Sequence, residues 1–263
     1  MCGIAGYSLD AASTVDRTLA AQALLAGIAE RGADAVGYAH RGAGSSVTIH
    51  KQRSGAAALL DAVELPADAT HALVHVRDYT KGHPTVLANN HPIRHGSVVG
   101  IHNGIIVNDE EILARHAIAR AEPEMTVDSE AIFALAEASG NDPHAFEQLN
   151  GSMATAWLDD RHVHTLFLAR GVGRPLWIGT ADDELLFAST KAALEVAERF
   201  LKLKLRKREL GEGTVAVVTD GVSVEKLRFR PDRNFEESTL PAVRAPQEAK
   251  LSLQRLAALA ALS

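Results

Sequence analysis

Short apolar runs of strand length recur along most of this 263-residue chain, and the helical stretches fall in groups between them. Strand-like runs cover 3–9, 35–41, 46–52, 71–77, 97–103, 105–107, 153–159, 163–169, 175–180, 184–188, 203–208, 214–219 and 222–228. Helical spacing is visible at 15–30, 54–62, 109–119, 128–138, 190–200 and 247–262. Strict strand–helix alternation would indicate a parallel, doubly wound sheet, and that alternation is missing. The pattern predicts an α+β fold in which two mostly antiparallel sheets stack face to face, with helices on the outer faces.

One run shows how such a sheet would present side chains. His71-Ala72-Leu73-Val74-His75-Val76-Arg77 alternates, so Ala72, Val74 and Val76 share one face and Leu73, His75 and Arg77 the other. Arg77 then leads directly into a polar loop over 78–96. An arginine held inside a sheet needs an anion, and its planar fork suits a carboxylate. A structural ion pair would meet the same need.

The only cysteine is residue 2, in Met1-Cys2-Gly3-Ile4-Ala5-Gly6. If Met1 is removed, one residue carries both a thiol and a free α-amine. The amine titrates at about 7.7–8.0, so a useful fraction is basic near neutrality. Nucleophile and base would then sit in one residue. The alternative is an incidental cysteine in a buried first strand. A single cysteine forms no internal disulfide and fits a reducing compartment, so the expected location is cytoplasmic.

Net charge of -6 argues against nucleic acid as a partner, because phosphate binding needs clustered Lys and Arg. The one basic run, 202–208, alternates with leucines and reads as a half-buried strand with a solvated face. No signal peptide is evident, and no run of about 18 apolar residues predicts a membrane span. His91 and His95 flank a proline, and there is no HExxH or Cys/His cluster, so neither a metal nor another cofactor is expected. From 231 onward the character changes to a proline-punctuated, charged stretch and then a Leu/Ala-rich segment. The expected division is a domain over 2–230 and a C-terminal extension over 231–263 that packs on its own domain or docks a partner.

Three further motifs have a structural reading, and two of them also admit a functional one. Asn103-Gly104 lies between apolar runs, which is a hairpin-turn signal. The same pair could donate an amide and a backbone N–H to an oxyanion. Asp128 precedes a helix and could cap it, or could face an ammonium. Arg31-Gly32 fits a helix terminus with a glycine cap.

Taken in order, these pieces resemble the glutaminase domains of class II glutamine amidotransferases. The resemblance rests on Cys2-Gly3-Ile4-Ala5-Gly6, Arg31-Gly32-Ala33-Asp34-Ala35-Val36-Gly37, His75-Val76-Arg77 with Thr80 and Gly82, Asn90-His91-Pro92, His102-Asn103-Gly104-Ile105-Ile106 and Asp128-Ser129-Glu130. Later matches are Leu168-Ala169-Arg170 through Pro175-Leu176, and Phe187-Ala188-Ser189, so coverage runs over about 2–225. The resemblance implies the N-terminal nucleophile hydrolase fold, a four-layer αββα sandwich. It implies Cys2 as nucleophile with its own α-amine as base, and Asn103 and Gly104 as the oxyanion hole. Arg77 would hold the α-carboxylate of L-glutamine and Asp128 its α-ammonium, with Thr80 and Arg31 lining or bracing the pocket. Hydrolysis would pass through a γ-glutamyl thioester.

The chain departs from the family at Arg77-Asp78-Tyr79-Thr80-Lys81-Gly82, where Arg-Trp-Ala-Thr-His-Gly is common. Relatives carry a synthase or transferase domain after the glutaminase, and the stretch after 230 is too short for one. The leading expectation is therefore a glutaminase that feeds ammonia to a separate synthetase or transferase subunit, with room for a homo-oligomer. The alternatives are an amidohydrolase of another γ-glutamyl or small amide without ammonia transfer, and a non-catalytic interaction module on the same fold.

Overall fold

The structure is a computed structural model that describes residues 2–42, 45–221, 223–236 and 243–261. Met1, whose removal bears on Cys2, lies outside these ranges, as do residues 43–44 of the expected loop and the terminal residues 222 and 262 of two expected elements. In chain order the elements are β1 (Gly3–Leu9), α1 (Arg17–Ile28), β2 (Ala35–Gly42), β3 (Thr48–Gln52), α2 (Ala56–Leu59), β4 (Ala69–Arg77), β5 (Ile93–His95), β6 (Val98–Ile106), α3 (Asp109–Arg115) and α4 (Glu130–Ser139). They continue with β7 (Gly151–Asp159), β8 (Thr165–Arg170), β9 (Trp177–Thr180), β10 (Glu184–Ala188), α5 (Lys191–Leu201), β11 (Arg206–Glu209), β12 (Thr214–Thr219), β13 (Ser223–Arg228) and α6 (Pro246–Leu259).

The strands form a seven-stranded sheet, β11-β9-β10-β1-β4-β2-β3, and a six-stranded sheet, β13-β12-β8-β7-β6-β5. Every strand pairing is antiparallel. Ile4, Leu73, Val99, Ile101, Ala154 and Phe187 fill the space between the sheets. Helices α1, α5 and α6 cover the outer face of the first sheet, and α3 and α4 that of the second. The expected four-layer sandwich is the observed architecture.

Local chemistry accounts for the layers. Helix α1 starts where the Asp16 side chain accepts from the Leu19 N–H at 2.8 Å. It is apolar nearly all round, as suits a helix packed against β1 and β4 of the sheet and against α5 and α6. Helix α5 is capped by Thr190, and its apolar stripe (Ala193, Leu194, Ala197) faces inward. Strand β4 is buried along its whole length because both faces of its sheet are covered. Helix α6 opens with Pro246 at its first position and buries Leu256 against the α1 layer.

One expectation is corrected here. Residues 97–107 are not two strands around a turn: β6 is continuous, and Asn103 and Gly104 pair with Ala154 and Met153 of β7. Cross-strand pairing on both sides of the dipeptide outweighs its local turn preference.

Candidate active site

Strands β1 and β4 pair with Gly3 opposite Val76, and the same register carries Cys2 beside Arg77 at the rim of the sheet. Side chains at 71, 73, 75 and 77 share the inter-sheet face with Leu73, as the alternation predicts. The Cys2 thiol donates to the Asp78 carbonyl at 3.5 Å. Desolvation pushes this thiol up from its ordinary range, while the Asp78 hydrogen bond and the Arg77 charge pull the other way. The Arg31 Nε donates to the Cys2 carbonyl at 3.5 Å, so Arg31 braces the backbone at Cys2.

Arg77 is buried, yet among the described residues it pairs with no carboxylate. It donates to the Lys81 carbonyl at 2.9 Å, to the Gly82 carbonyl and to Asn90 Oδ1. The guanidinium therefore shapes the 78–82 loop around itself and keeps a full positive charge beside Cys2. Lys81, in the same loop, is held by Asp109 at 2.7 Å.

The opposite wall comes from the end of β6 and the approach to α4. Parity places Asn103 on the inter-sheet face with Val99 and Ile101. Asn103 is fully buried, and neither its Nδ2 nor its Oδ1 has a partner among the described residues. Gly104 has φ +150°, and a Cβ there would lie 2.0 Å from the Ser152 carbonyl. Asp128 does not cap α4. Its Oδ2 accepts from the Ile106 N–H at 2.7 Å, which ties the pre-helix turn to β6. Burial pushes the Asp128 carboxyl up to about 6 against the lowering effect of that bond.

Three histidines complete the walls. His102 Nε2 faces the Ser152 carbonyl at 3.3 Å and so carries the proton; its Nδ1 then accepts from Ser129 Oγ at 2.9 Å. His75 Nε2 donates to the His102 carbonyl at 3.2 Å. His75 stacks on His91 with ring centroids 4.3 Å apart. Burial holds His75 and His102 down to about 3 and His91 well below its usual range. All three are neutral at physiological pH and too weakly basic to take a thiol proton readily.

The resulting pocket is narrow, with a cavity volume of about 10 Å³, and is lined by Cys2, Arg77, Thr80, Gly104 and Asp128, together with Tyr79, Lys81, His91, His102, Val127 and Ser129. Asn103 and Arg31 stand behind this lining. A larger depression of about 480 Å³ over 11–18 is lined by Asp16, Arg17, hydroxyl side chains and apolar residues such as Val15 and Leu65, without cysteine or histidine. Among the described residues no group of His, Cys, Asp and Glu is arranged to hold a metal ion, and no helix is long and apolar enough to cross a membrane. Residue-by-residue reading of the sequence assigned no role to His75, His91, His102 or Ser129. Their signal was present, since each lies within or next to a motif that carries a pocket residue.

Residues 82–196 match the family described as the glutamine amidotransferase domain. The glutamine–fructose-6-phosphate aminotransferase (isomerizing) of Halalkalibacterium halodurans is 29% identical over 240 residues, covering 86% of this chain and 37% of that protein. Its counterpart from Escherichia coli strain K12 is 32% identical over 232 residues, covering 83% and 36%. The chain thus spans about a third of the length of the curated relatives it matches. In fold it matches the glutamine phosphoribosylpyrophosphate amidotransferase of B. subtilis, solved with ADP and GMP, at a TM-score of 0.68 and 19% identity, over 86% of this chain and 49% of that one. Over residues 82–196 the chain thus carries a glutamine amidotransferase domain, and it shares the fold of the B. subtilis enzyme.

Proposed function

We propose that this domain hydrolyses the side-chain amide of L-glutamine to glutamate and ammonia through a γ-glutamyl thioester on Cys2, and that the ammonia passes to a separate acceptor-activating partner. The observation that carries this reading is the pocket itself: one nucleophile, one buried cation and one buried carboxylate share it. Glutamine's head group needs an anion acceptor and a cation acceptor at fixed separation. Arg77 supports the carboxylate end and Asp128 the ammonium end.

The chemistry follows from the local acidities. A desolvated thiol needs a base, and the neighbouring imidazoles are too weak. The Cys2 α-amine, once Met1 is removed, takes the thiol proton. The thiolate attacks the amide carbon, and the oxyanion is received by Asn103 Nδ2 and the Gly104 N–H. Collapse expels ammonia with the proton from the Cys2 α-ammonium and leaves the thioester. Water, activated by the same amine, then releases glutamate. Thr80, Arg31 and the His102–Ser129 pair shape and brace the pocket.

The test is ammonia release from glutamine by the full chain with Met1 removal verified by intact mass. Cys2→Ser should lower turnover by at least about 10³-fold, and a glutamine-mimicking diazoketone should add to Cys2 alone. Unchanged release by Cys2→Ser would overturn the proposal.

A further inference from the structure

The Cys2 thiol rests on a backbone carbonyl whose own residue is held from an unexpected direction. Asp78 supplies the carbonyl, and its carboxylate pairs with Arg244 Nε at 3.1 Å. Arg244 belongs to the segment leading into α6, far along the chain from every pocket residue. That segment is fixed by its own backbone: the N–H groups of Arg244 and Ala245 both donate to the Glu30 carbonyl, at 2.8 and 2.9 Å. The next residue along, Arg31, donates to the Cys2 carbonyl.

The turn at 29–34 is thus a shared mount. One side receives the C-terminal segment; the other receives Cys2 and the start of the 78–82 loop. The packing is close. A Cβ on Gly32 would lie 2.4 Å from the Arg77 carbonyl and 2.6 Å from the Asp78 nitrogen. Asp34 adds two ties, its N–H to the Arg77 carbonyl and its carboxylate to the Tyr79 N–H, each at 2.9 Å. Behind Arg244, α6 is anchored by Glu248, which accepts from the Ala57 N–H at 3.0 Å.

We infer that Arg244 is a positioning residue for Cys2: through its ion pair with Asp78 it holds the carbonyl that receives the thiol, and so couples the C-terminal segment to the nucleophile. The kinetic consequence rests on the proposed glutaminase function; the effect on the thiol does not. Because Cys2 is the only cysteine, alkylation of the intact chain reads this one thiol. Arg244→Glu should speed alkylation by iodoacetamide about two- to five-fold, the range expected for a partly exposed ion pair, and lower kcat/KM for glutamine by a similar factor. Arg244→Lys should stay near the wild type, and the charge swap Asp78→Lys with Arg244→Glu should restore both readouts. In about 1 M salt, where the Debye length is about 3 Å, the difference should shrink. Identical alkylation in Arg244→Glu and the wild type would overturn the inference, as would failure of the swap to restore the rate. A wild type that releases no ammonia would instead sink the proposed function, while the alkylation series would still decide the role of Arg244.

Discussion

At the start of β6 two carboxylates are saturated with donors, whereas near its end a buried amide has no partner among the described residues. Asp159, opposite Val98, accepts from Ser97 Oγ, Asn141 Nδ2 and three nitrogens of Arg161, at 2.7 to 3.1 Å. Asp160 accepts from Arg41 at 2.9 Å, Arg94 at 2.7 Å and the Val47 N–H at 3.2 Å. A few residues along the same strand, Asn103 is just as buried and unpartnered, and Asp128 has one backbone donor. Both ends of the strand have buried polar groups beside them. At one end the carboxylates are satisfied by the protein; the other leaves an amide without a partner among the described residues and a carboxylate with a single backbone donor. That contrast locates the site independently of any motif.

The contrast breaks most sharply at Asn103. Asn103→Ala removes no hydrogen bond of the folded chain, so unfolding free energy should change by no more than about 1 kcal/mol. Glutamine turnover should fall by about 10²–10³-fold if the amide serves the oxyanion. A variant that loses stability while retaining its rate would assign Asn103 to the frame instead. The reciprocal change is Asp159→Ala, which strands the Asn141 amide without its acceptor. Stability should drop by about 3 kcal/mol in urea unfolding, with kcat/KM of the folded fraction unchanged. Comparable kinetic losses in both variants would erase the distinction between the two ends.

How much of this was legible in the chain depends on sequence separation. The alternation of 71–77 placed His75 and Arg77 on the inner face, because a strand's period is local. The layer order followed from strands that do not alternate with helices. Asn103-Gly104 was ambiguous, since its turn chemistry and its extended pairing with Ala154 and Met153 differ only in what lies across the sheet. Asp128 resembled a helix cap because its acceptor role toward the Ile106 N–H is a contact between distant segments. Asp78 registered only as a departure from a family pattern. Its partner Arg244 becomes its neighbour only after the C-terminal segment folds against the 29–34 turn.

The two ends should also titrate with opposite sign, which gives the smallest effect and the finest discrimination. Burial raises the Asp128 carboxyl to about 6, so between pH of about 4 and 6 the folded state holds a proton that the unfolded state has released. Stability from this group therefore falls as pH rises through that window, and the cost is complete above about 6. Asp159 is the reverse. Its donors, led by Arg161, outweigh burial and hold its carboxyl well below the usual range, so its contribution is present above about 4 and lost as pH falls further. Asp128→Asn should therefore be more stable than the wild type at pH 7, by on the order of 2 kcal/mol, and the gap should close by about pH 4. Parallel stability curves across that range would place the Asp128 carboxyl at an ordinary acidity and remove it from the open end. Glutamine binding should show the functional counterpart: KM rises in the wild type as pH drops through about 6, because the α-ammonium then meets a neutral acid. An ionised carboxylate that weakens the empty fold and is offset by a bound ammonium is what a ligand site requires and what the Asp159 end, already saturated, has no use for.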